Sequence, residues 1–214
     1  MALIKTRARG LKLDDTFAFT GTVSGAGGGI TMANQWRING DFTDDESPIA
    51  NNLEQVDTDG YGKLGGDMSV SSGIWTFPDT GVYLLTFECY VTADNIDGLI
   101  SMFIETTTDN SSFSNASQKE FGVSRGSDRQ MCSTSFIFDV TNTSTHKCKF
   151  NLSNASSDTK THGNSGISET CFTFIRLGDT WNLAIVILKN KSVIVANDKA
   201  IFYWSSSCNN INIF

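Results

Sequence analysis

The sequence predicts an all-β protein, a sandwich or jelly roll of antiparallel strands, from its composition, its hydrophobic period and its connections. Aromatic residues are frequent, with 15 Phe, 4 Trp and 4 Tyr in 214 residues, whereas only 18% of the residues are charged. Aromatic residues favour strands, and the many Ser, Thr, Asn and Gly residues suit turns. A chain of this length can bury one complete core and need not hold two domains.

Five segments have the pattern of strands. In 83-YLLTFECYV-91 the odd positions are apolar, whereas the even positions include Thr86 and Glu88. Because successive side chains of a strand point to opposite faces of its sheet, this pattern predicts a half-buried strand. Segment 99–105 is apolar on both faces, as in a strand inside a sandwich. The other predicted strands are 133–140, 147–152 and 171–177.

The connections between these strands are long and rich in turn-forming residues. Segments 107–117 and 155–166 consist largely of Ser, Thr, Asn and Gly. Their spacing is typical of the loops of a sandwich or jelly roll. Segments 132–140 and 147–153 are close enough in sequence to form a hairpin.

The cysteines predict buried free thiols. Their number is odd and no C-x-x-C pair occurs, which argues against a disulfide framework or a zinc site. In the expected hairpin, Cys132 and Cys148 would be roughly 20 Å apart, too far for a disulfide. The five cysteines are Cys89, Cys132, Cys148, Cys171 and Cys208.

Residues 1–34 predict an arm and linker. Four of the sixteen basic residues fall within the first twelve positions, and they are Lys5, Arg7, Arg9 and Lys12. A short alternation at Phe17 and Phe19 follows, and then a Gly-rich run that would act as a hinge. The arm is either a basic segment that grips an acidic partner or a solvated terminus. The net charge of the whole chain is -7, so no overall field attracts nucleic acid, and we expect none as a partner.

The sequence also allows expectations about membrane insertion and about the C-terminal residues. No apolar run approaches the ~18 residues of a membrane span, and the start lacks the apolar region of a secretory signal, so we expect no membrane insertion. Residues 180–214 form a C-terminal extension, rich in Ile and Asn, in which 183–188 and 192–196 could be strands. These would pair with the sandwich, pair with a neighbour, or belong to a poorly ordered tail.

Motifs for catalysis are missing from the sequence. It has no G-x-S-x-G elbow, no H-E-x-x-H helix and no phosphate-binding G-x-x-x-x-G-K-[ST] loop. His146 and His162 fall in predicted loops, without acidic or cysteine neighbours at ligand spacing. The acidic run 41–46 lies in one loop, whereas glycoside hydrolysis needs two carboxylates across a cleft. We therefore predict a protein that is not an enzyme, with no catalytic residue, no cofactor-binding residue and no metal ligand.

The segment 57-DTDGYGKLGGDM-68 contains a G-x-G-x-x-G pattern and opens like a calcium loop. A dinucleotide fingerprint opens a helix, whereas strand and turn formers follow here. An EF-hand needs Glu at its twelfth position, where this segment has Met68. We interpret the segment as a Gly-rich turn leading into a strand. Asp57 and Asp59 could still hold a calcium ion together with loops from elsewhere.

The block 60–91 resembles the first strands of the tumour-necrosis-factor and complement-type globular-head superfamily. The family pattern is a Gly-aromatic-x-Phe-Pro strand, then x-x-Gly-x-Tyr, then an alternating strand. The residues that carry it here are Gly73, Trp75, Phe77, Pro78, Gly81 and Tyr83. The segment 171-CFTFIRLGD-179 looks like the closing strand of that family. The C-terminal extension departs from the pattern, because family members usually end at the closing strand.

This resemblance implies a TNF-like jelly roll of about ten strands over residues 35–179 that assembles as a homotrimer. By motif position, Tyr83, Phe172 and Phe174 would pack about the threefold axis. The alternative is that these three are ordinary core residues.

The arm resembles the N-terminus of virion structural proteins from tailed phages. The segment Leu-x-x-Asp-x-Phe-x-Phe-Thr-Gly-x-Val precedes a globular domain of this kind in those proteins. The residues that carry it are Leu13, Phe17, Phe19, Thr20, Gly21 and Val23, with Asp15 near the family Asp. This resemblance implies virion anchoring through Lys5, Arg7, Arg9, Phe17 and Phe19.

Together these features predict a non-enzymatic bacteriophage virion protein, assembled in the host cytoplasm and attached to capsid or tail by its arm. Its role would be capsid decoration, or that of a tail fibre in host attachment through a surface glycan or receptor. One alternative is a lectin-like carbohydrate-binding module, with 107–117 and 41–46 as first candidates for the site. A more distant alternative is a secreted TNF-like ligand.

Overall fold

The computed structural model describes residues 29–180 and four later strands, 183–188, 191–196, 200–205 and 212–213. All regular secondary structure in these residues is β, which confirms the predicted fold class. The first twelve strands in chain order are β1 (Met32–Ile38), β2 (Phe42–Thr43), β3 (Leu53–Gln55), β4 (Ser69–Ser71), β5 (Ile74–Thr76), β6 (Gly81–Ala93), β7 (Asp97–Thr107), β8 (Ser114–Val123), β9 (Arg129–Val140), β10 (Lys147–Ser153), β11 (Thr159–Thr161) and β12 (Cys171–Gly178).

These twelve strands form two antiparallel sheets, here called the larger and the smaller sheet. In the larger sheet, β6 pairs with β9 on one side and with β12 and β11 on the other. The sheet continues from β12 to β1 and β3, while β2 pairs with β11. The smaller sheet has the order β4-β5-β10-β7-β8.

The hairpin of 132–140 with 147–153, considered as a possibility from the sequence, does not form. Strand β9 pairs with β6 in the larger sheet, whereas β10 pairs with β7 and β5 in the smaller sheet. The six residues 141–146 therefore cross from one sheet to the other. Both strands have an apolar face, and crossing lets the two faces cover the same core from opposite sides.

The core between the sheets is aromatic. The odd positions of β6, from Tyr83 to Val91, have no exposed surface, as their alternation predicts. Trp75 of the smaller sheet lies across from the larger sheet, with its ring centroid 5.8 Å from that of Phe172 and 4.9 Å from that of Phe174. Such tilted aromatic pairs add stabilisation beyond the apolar area that they bury.

Two boundaries differ from expectation. The first strand of the sandwich begins at Met32, three residues before the predicted start at residue 35. Asn34 in this strand is buried, and its Nδ2 donates to Asp67 Oδ1 at 3.0 Å. A buried, hydrogen-bonded Asn interrupts the apolar alternation by which a strand is recognised. Strand β8 occupies part of the predicted loop 107–117, since it lies at a sheet edge and exposes half of its residues.

The C-terminal strands form a third sheet, here called the C-terminal sheet. Strands β13 (Leu183–Leu188) and β14 (Lys191–Ala196) correspond to the two predicted ones. They pair with each other and continue into β15 (Ala200–Ser205) and β16 (Asn212–Ile213). Among the described pairings, each strand of this sheet pairs only within it.

Candidate functional site

The outer face of the larger sheet, which points away from the core, carries a continuous line of apolar residues. The strand register joins Ala33 to Ile175, Ile175 to Leu84 and Leu84 to Ile137. An isolated bridge extends the line from Ala33 to Leu64. We call these five residues the apolar row. The row runs from Leu64, beside β1, across β12 and β6 to Ile137 on the edge strand β9.

The ends of the apolar row are well exposed. Ile137 keeps 59% of its surface exposed and Leu64 keeps 46%. On the same face, Met131 lies opposite Tyr90 and is 73% exposed. Single exposed apolar residues are normal on soluble proteins, but a contiguous patch rimmed by polar residues marks an interaction surface.

The part of the outer face next to the apolar row is polar and rich in hydroxyl groups. The row next to the apolar row runs through Gln35, Thr173, Thr86 and Ser135. Within it, Gln35 Nε2 donates to Thr173 Oγ1 at 3.1 Å. Hydroxyl groups of this kind can form hydrogen bonds across a protein interface as readily as with water.

One corner of the outer face is already covered within the chain by a cluster around Arg37, which has no exposed surface. Its guanidinium donates to Glu54 at 2.7 Å, Thr58 at 2.8 Å and Asp57 at 2.6 Å, and also to the carbonyl of Ser165. These bonds tie β1 to two loops, and burial of the cation is compensated by carboxylates.

The structure corrects the predicted axial role of Tyr83, Phe172 and Phe174. All three have no exposed surface within a single chain. Tyr83 packs against Phe77, and Phe172 and Phe174 pack against Trp75. A side chain enclosed in its own subunit cannot contact another one, so these are core residues. The period of two places these motif residues inward and their neighbours Leu84 and Ile175 outward.

The five predicted anchoring residues, Lys5, Arg7, Arg9, Phe17 and Phe19, lie outside the described residues. The charge of the region that follows them is relevant to their partner. Between residues 29 and 180 the chain has twenty Asp and Glu but nine Lys and Arg, whereas residues 1–28 have four basic and two acidic residues. The arm and the sandwich therefore have opposite net charges.

The Gly-rich segment 57–68 closes an edge of the sandwich. Leu64 exchanges two backbone hydrogen bonds of 3.0 Å with Ala33, beyond the end of β3. Gly65 has φ +69°, and a Cβ there would overlap the carbonyl oxygen of Thr31. This agrees with the interpretation as a turn and adds that the turn extends the β1 edge.

The carboxylate of Asp57 is held by Arg37, at 2.6 Å, which opposes its use in a calcium site. Among the residues that the structure describes, no group of three or more His, Cys, Asp or Glu side chains is arranged to hold a metal ion.

Both histidines lie between strands, as predicted, but neither is a free side chain. His146 is buried, stacks on Phe138 and has Thr141 Oγ1 at 3.1 Å from its Nε2. His162 stacks on Tyr90, and its Nε2 lies 2.8 Å from Thr92 Oγ1.

Asp41 approaches His162 from the other side, with 3.8 Å between Oδ1 and Nδ1. That distance is too long for a hydrogen bond. The same carboxylate oxygen accepts the backbone N–H of Gly163 at 3.0 Å. Asp41 thus anchors a loop and does not orient the imidazole as a catalytic dyad would.

The acidic loop 41–46 is engaged in similar contacts. Asp45 Oδ1 accepts the backbone N–H of Ala155 at 2.7 Å, and Glu46 accepts from Ala50 and Asn51. In the other loop suggested for glycan binding, Asp109 accepts from Ser111 and Ser112, and these bonds lower the pKa of its carboxyl. Carboxylates of both loops are thus engaged in hydrogen bonds within the chain, which weakens the lectin alternative.

The register brings two cysteines together that are far apart in sequence, since Cys89 lies opposite Cys132. The backbone N–H and C=O of Tyr90 bond to Thr170 and His162, away from β9, so those of Cys89 point toward β9. The pair is therefore hydrogen-bonded, with Cβ atoms farther apart than a disulfide needs. Of the five cysteines, the four within 29–180 are free thiols, as predicted.

In the parts of the chain that the structure describes, no helix has the length and apolar character needed to cross a membrane.

No protein-family model matches the chain, and no curated protein matches it either. Similar solved structures exist. Eiger TNF from S. frugiperda is 14% identical, with a TM-score of 0.53, over 73% of this chain and 98% of the other. Murine APRIL at pH 5.0 is 15% identical, with a TM-score of 0.48, over 68% of this chain and 98% of the other. At such identities the likeness to Eiger shows the fold alone, and residues 29–180 form a TNF-like jelly roll.

Proposed function

We propose that this TNF-like jelly roll is a non-enzymatic structural protein of a phage virion. It forms a homotrimer through the outer face of its larger sheet and is attached to the particle by its N-terminal arm. The observation that carries the proposal is the apolar row, which spans that face and ends in the exposed Ile137 and Leu64.

The apolar row gains stability when it is covered. Fully burying one large apolar side chain contributes roughly 1.5–3 kcal/mol. Ile137, Leu84 and Ile175 are adjacent in the register, so one partner surface covers them together. In a closed threefold assembly each copy both offers and covers such a row, and the gain is repeated at three interfaces.

The attachment follows from the distribution of charge. The arm is basic, whereas the jelly roll is acidic. The basic residues would pair with an acidic surface on capsid or tail, and Phe17 and Phe19 would add apolar burial as the arm becomes ordered on docking. Three arms on one trimer convert a weak contact into useful avidity. The surface of the acidic jelly roll that the trimer leaves uncovered is then free to face solvent or the host.

Deletion of residues 2–24 tests the attachment. We expect the shortened chain to form the same trimer but to be missing from purified particles, because the basic and apolar anchors are lost. A matched control keeps the length and replaces Thr20, Thr22 and Ser24 by Ala, which leaves those anchors unchanged. Incorporation of the shortened chain at wild-type levels would show that the arm is not the anchor.

Particles that lack the protein separate the two virion roles. Loss of adsorption to host cells with sound capsids indicates a tail fibre, whereas osmotic fragility with normal adsorption indicates a capsid decoration protein.

A further inference from the structure

The end of the jelly roll farthest from the arm is formed by connections between strands. Strand β6 runs from Gly81 to Ala93. Strand β1, which begins at Met32, and strand β12, which ends at Gly178, both have these residues near the Gly81 end of β6. The arm therefore joins the jelly roll at that end. The Ala93 end lies about 40 Å away, at the ~3.3 Å rise per residue of a strand.

Three connections meet at the Ala93 end, and we call them the distal cap. They are residues 94–99 after β6, residues 124–128 between β8 and β9, and residues 154–158 between β10 and β11. Hydrogen bonds join them. The N–H of Asp94 donates to the carbonyl of Asp158 at 3.1 Å, and Asn95 Nδ2 donates to the Asp158 carboxylate at 2.7 Å. The N–H of Ser127 donates to the carbonyl of Ala93 at 2.6 Å.

The backbones of the distal cap are also in close contact. A Cβ on Gly126 would lie 2.3 Å from the carbonyl oxygen of Asp94. A Cβ on Gly122, just before the cap, would lie 2.7 Å from the carbonyl oxygen of Gly98. Such contacts require glycine, and with the hydrogen bonds they fix the connections against one another. The cap therefore presents its side chains without an ordering cost on binding.

Two large apolar side chains of the distal cap extend into water. Ile96 is 72% exposed and Leu99 is 49% exposed. Leu99 lies between Asp97 and Ile100, where the register of β7 with β8 shifts. Irregularities of this kind redirect side chains and are frequent beside functional sites. The other cap residues are mostly Ser, Asn, Gly and Asp, so the apolar pair has the polar surroundings of an interaction surface.

The chemistry of the distal cap favours a protein as its partner. None of the cap residues is aromatic, so the cap offers no ring on which a sugar could stack. Asp94 and Asp158 are exposed, and their carboxylates would be repelled by an anionic lipid surface. Aliphatic anchors with short polar neighbours suit an apolar pocket of a folded protein whose rim supplies hydrogen-bond donors.

We propose that the distal cap binds a protein on the surface of the host cell, with Ile96 and Leu99 as its apolar anchors. The inference rests on the proposed function, because the arm holds the opposite end of the jelly roll to the particle. It assigns the protein to host attachment rather than to capsid decoration. Three caps on one trimer engage together, which converts a weak contact into useful avidity.

Binding of the labelled full-length trimer to intact host cells tests the inference. We expect Ile96→Ser and Leu99→Ser each to raise the half-saturating concentration by about tenfold, because each removes one apolar anchor. Ile167→Ser is the matched control, since Ile167 is 63% exposed but lies between β11 and β12, outside the cap. It should bind like wild type. Sedimentation equilibrium and near-UV circular dichroism should show that all three variants remain folded trimers.

Treatment of the host cells identifies the class of partner. Proteinase K should abolish binding of the wild-type trimer, whereas periodate, which cleaves the diols of sugars, should leave it unchanged. Binding that survives the protease but is lost after periodate would mean that the partner is a glycan, and would overturn the inference.

The outcomes separate this inference from the proposed function. If the wild-type protein is monomeric, or is missing from purified particles, the proposed function itself fails. If it is a trimer within the particle but both anchor variants bind host cells like wild type, the proposed function stands and the role of the distal cap is contradicted. A wild-type trimer that does not bind host cells contradicts the cap in the same way.

Discussion

One buried residue, Arg37, shows how this chain provides hydrogen-bond partners for a buried charged group. Arg37 lies on the outer face of β1, yet it is fully buried and engages Glu54, Asp57 and Thr58. No local pattern in the sequence marks it, because its partners come from β3 and the loop after it, about twenty residues away, and from Ser165, which is 128 residues away in sequence.

The buried thiols predict a loss of stability at high pH. Burial raises the pKa of the Cys89 thiol from 9.0 to about 12, and it also raises the pKa of the Cys148 thiol. The folded state thus favours the neutral thiol, whereas the unfolded chain ionises near pH 9. The stabilisation is complete below pH 9 and is lost as the pH rises toward the folded pKa, by about 1.4 kcal/mol per pH unit for each thiol.

Urea unfolding of wild type and Cys148→Ala between pH 8 and pH 10.5 measures this effect. The variant should be less stable at pH 8, since it leaves a cavity, but its free energy of unfolding should fall less steeply above pH 9. The comparison cancels the titration of Lys and Tyr residues, which both proteins share. Parallel curves would mean that the Cys148 thiol does not resist ionisation.

At the scale of single elements, local sequence predicts the strands and long-range pairing decides their sheets. The alternation in 83–91 and 147–152 identifies β6 and β10, because each has one face in a core. Strand β8 has no such alternation, since an edge strand with only one fully buried residue needs no apolar face. The assignment of β9 and β10 to different sheets depends on partners about forty to fifty residues away in sequence, which no local pattern reveals.

The Gly-rich segment gives a prediction at this scale. Gly65→Ala should lower the free energy of unfolding by about 2 kcal/mol or more, because alanine resists a positive φ and its Cβ meets the Thr31 carbonyl. Gly62→Ala is the matched control, since nothing lies within 4 Å of a Cβ there. It should leave stability unchanged or raise it by up to about 1 kcal/mol. Thermal or urea unfolding compares the two, and equal effects would contradict the assigned role of Gly65.

At the scale of the whole molecule, the fold could be predicted from the sequence but the surface proposed here for assembly could not. The Phe-Pro-x-x-Gly-x-Tyr motif points to a TNF-like sandwich, which the structure has. The motif aromatics Tyr83, Phe172 and Phe174 belong to its core. The apolar row draws single residues from four strands and one loop, so it becomes visible only when the register is known.

The central claim is that the outer face of the larger sheet mediates homotrimer formation. Sedimentation equilibrium of the wild-type chain tests it most directly, and we expect a mass three times the 23.3 kDa of one chain. Ile137→Glu should raise the monomer–trimer midpoint concentration by about 100-fold, because it places a charge in the apolar row. Ile96→Glu is the matched control, since Ile96 is also exposed but lies in a loop away from the row. A monomeric wild-type protein, or an Ile137→Glu variant as firmly trimeric as Ile96→Glu, would contradict the claim.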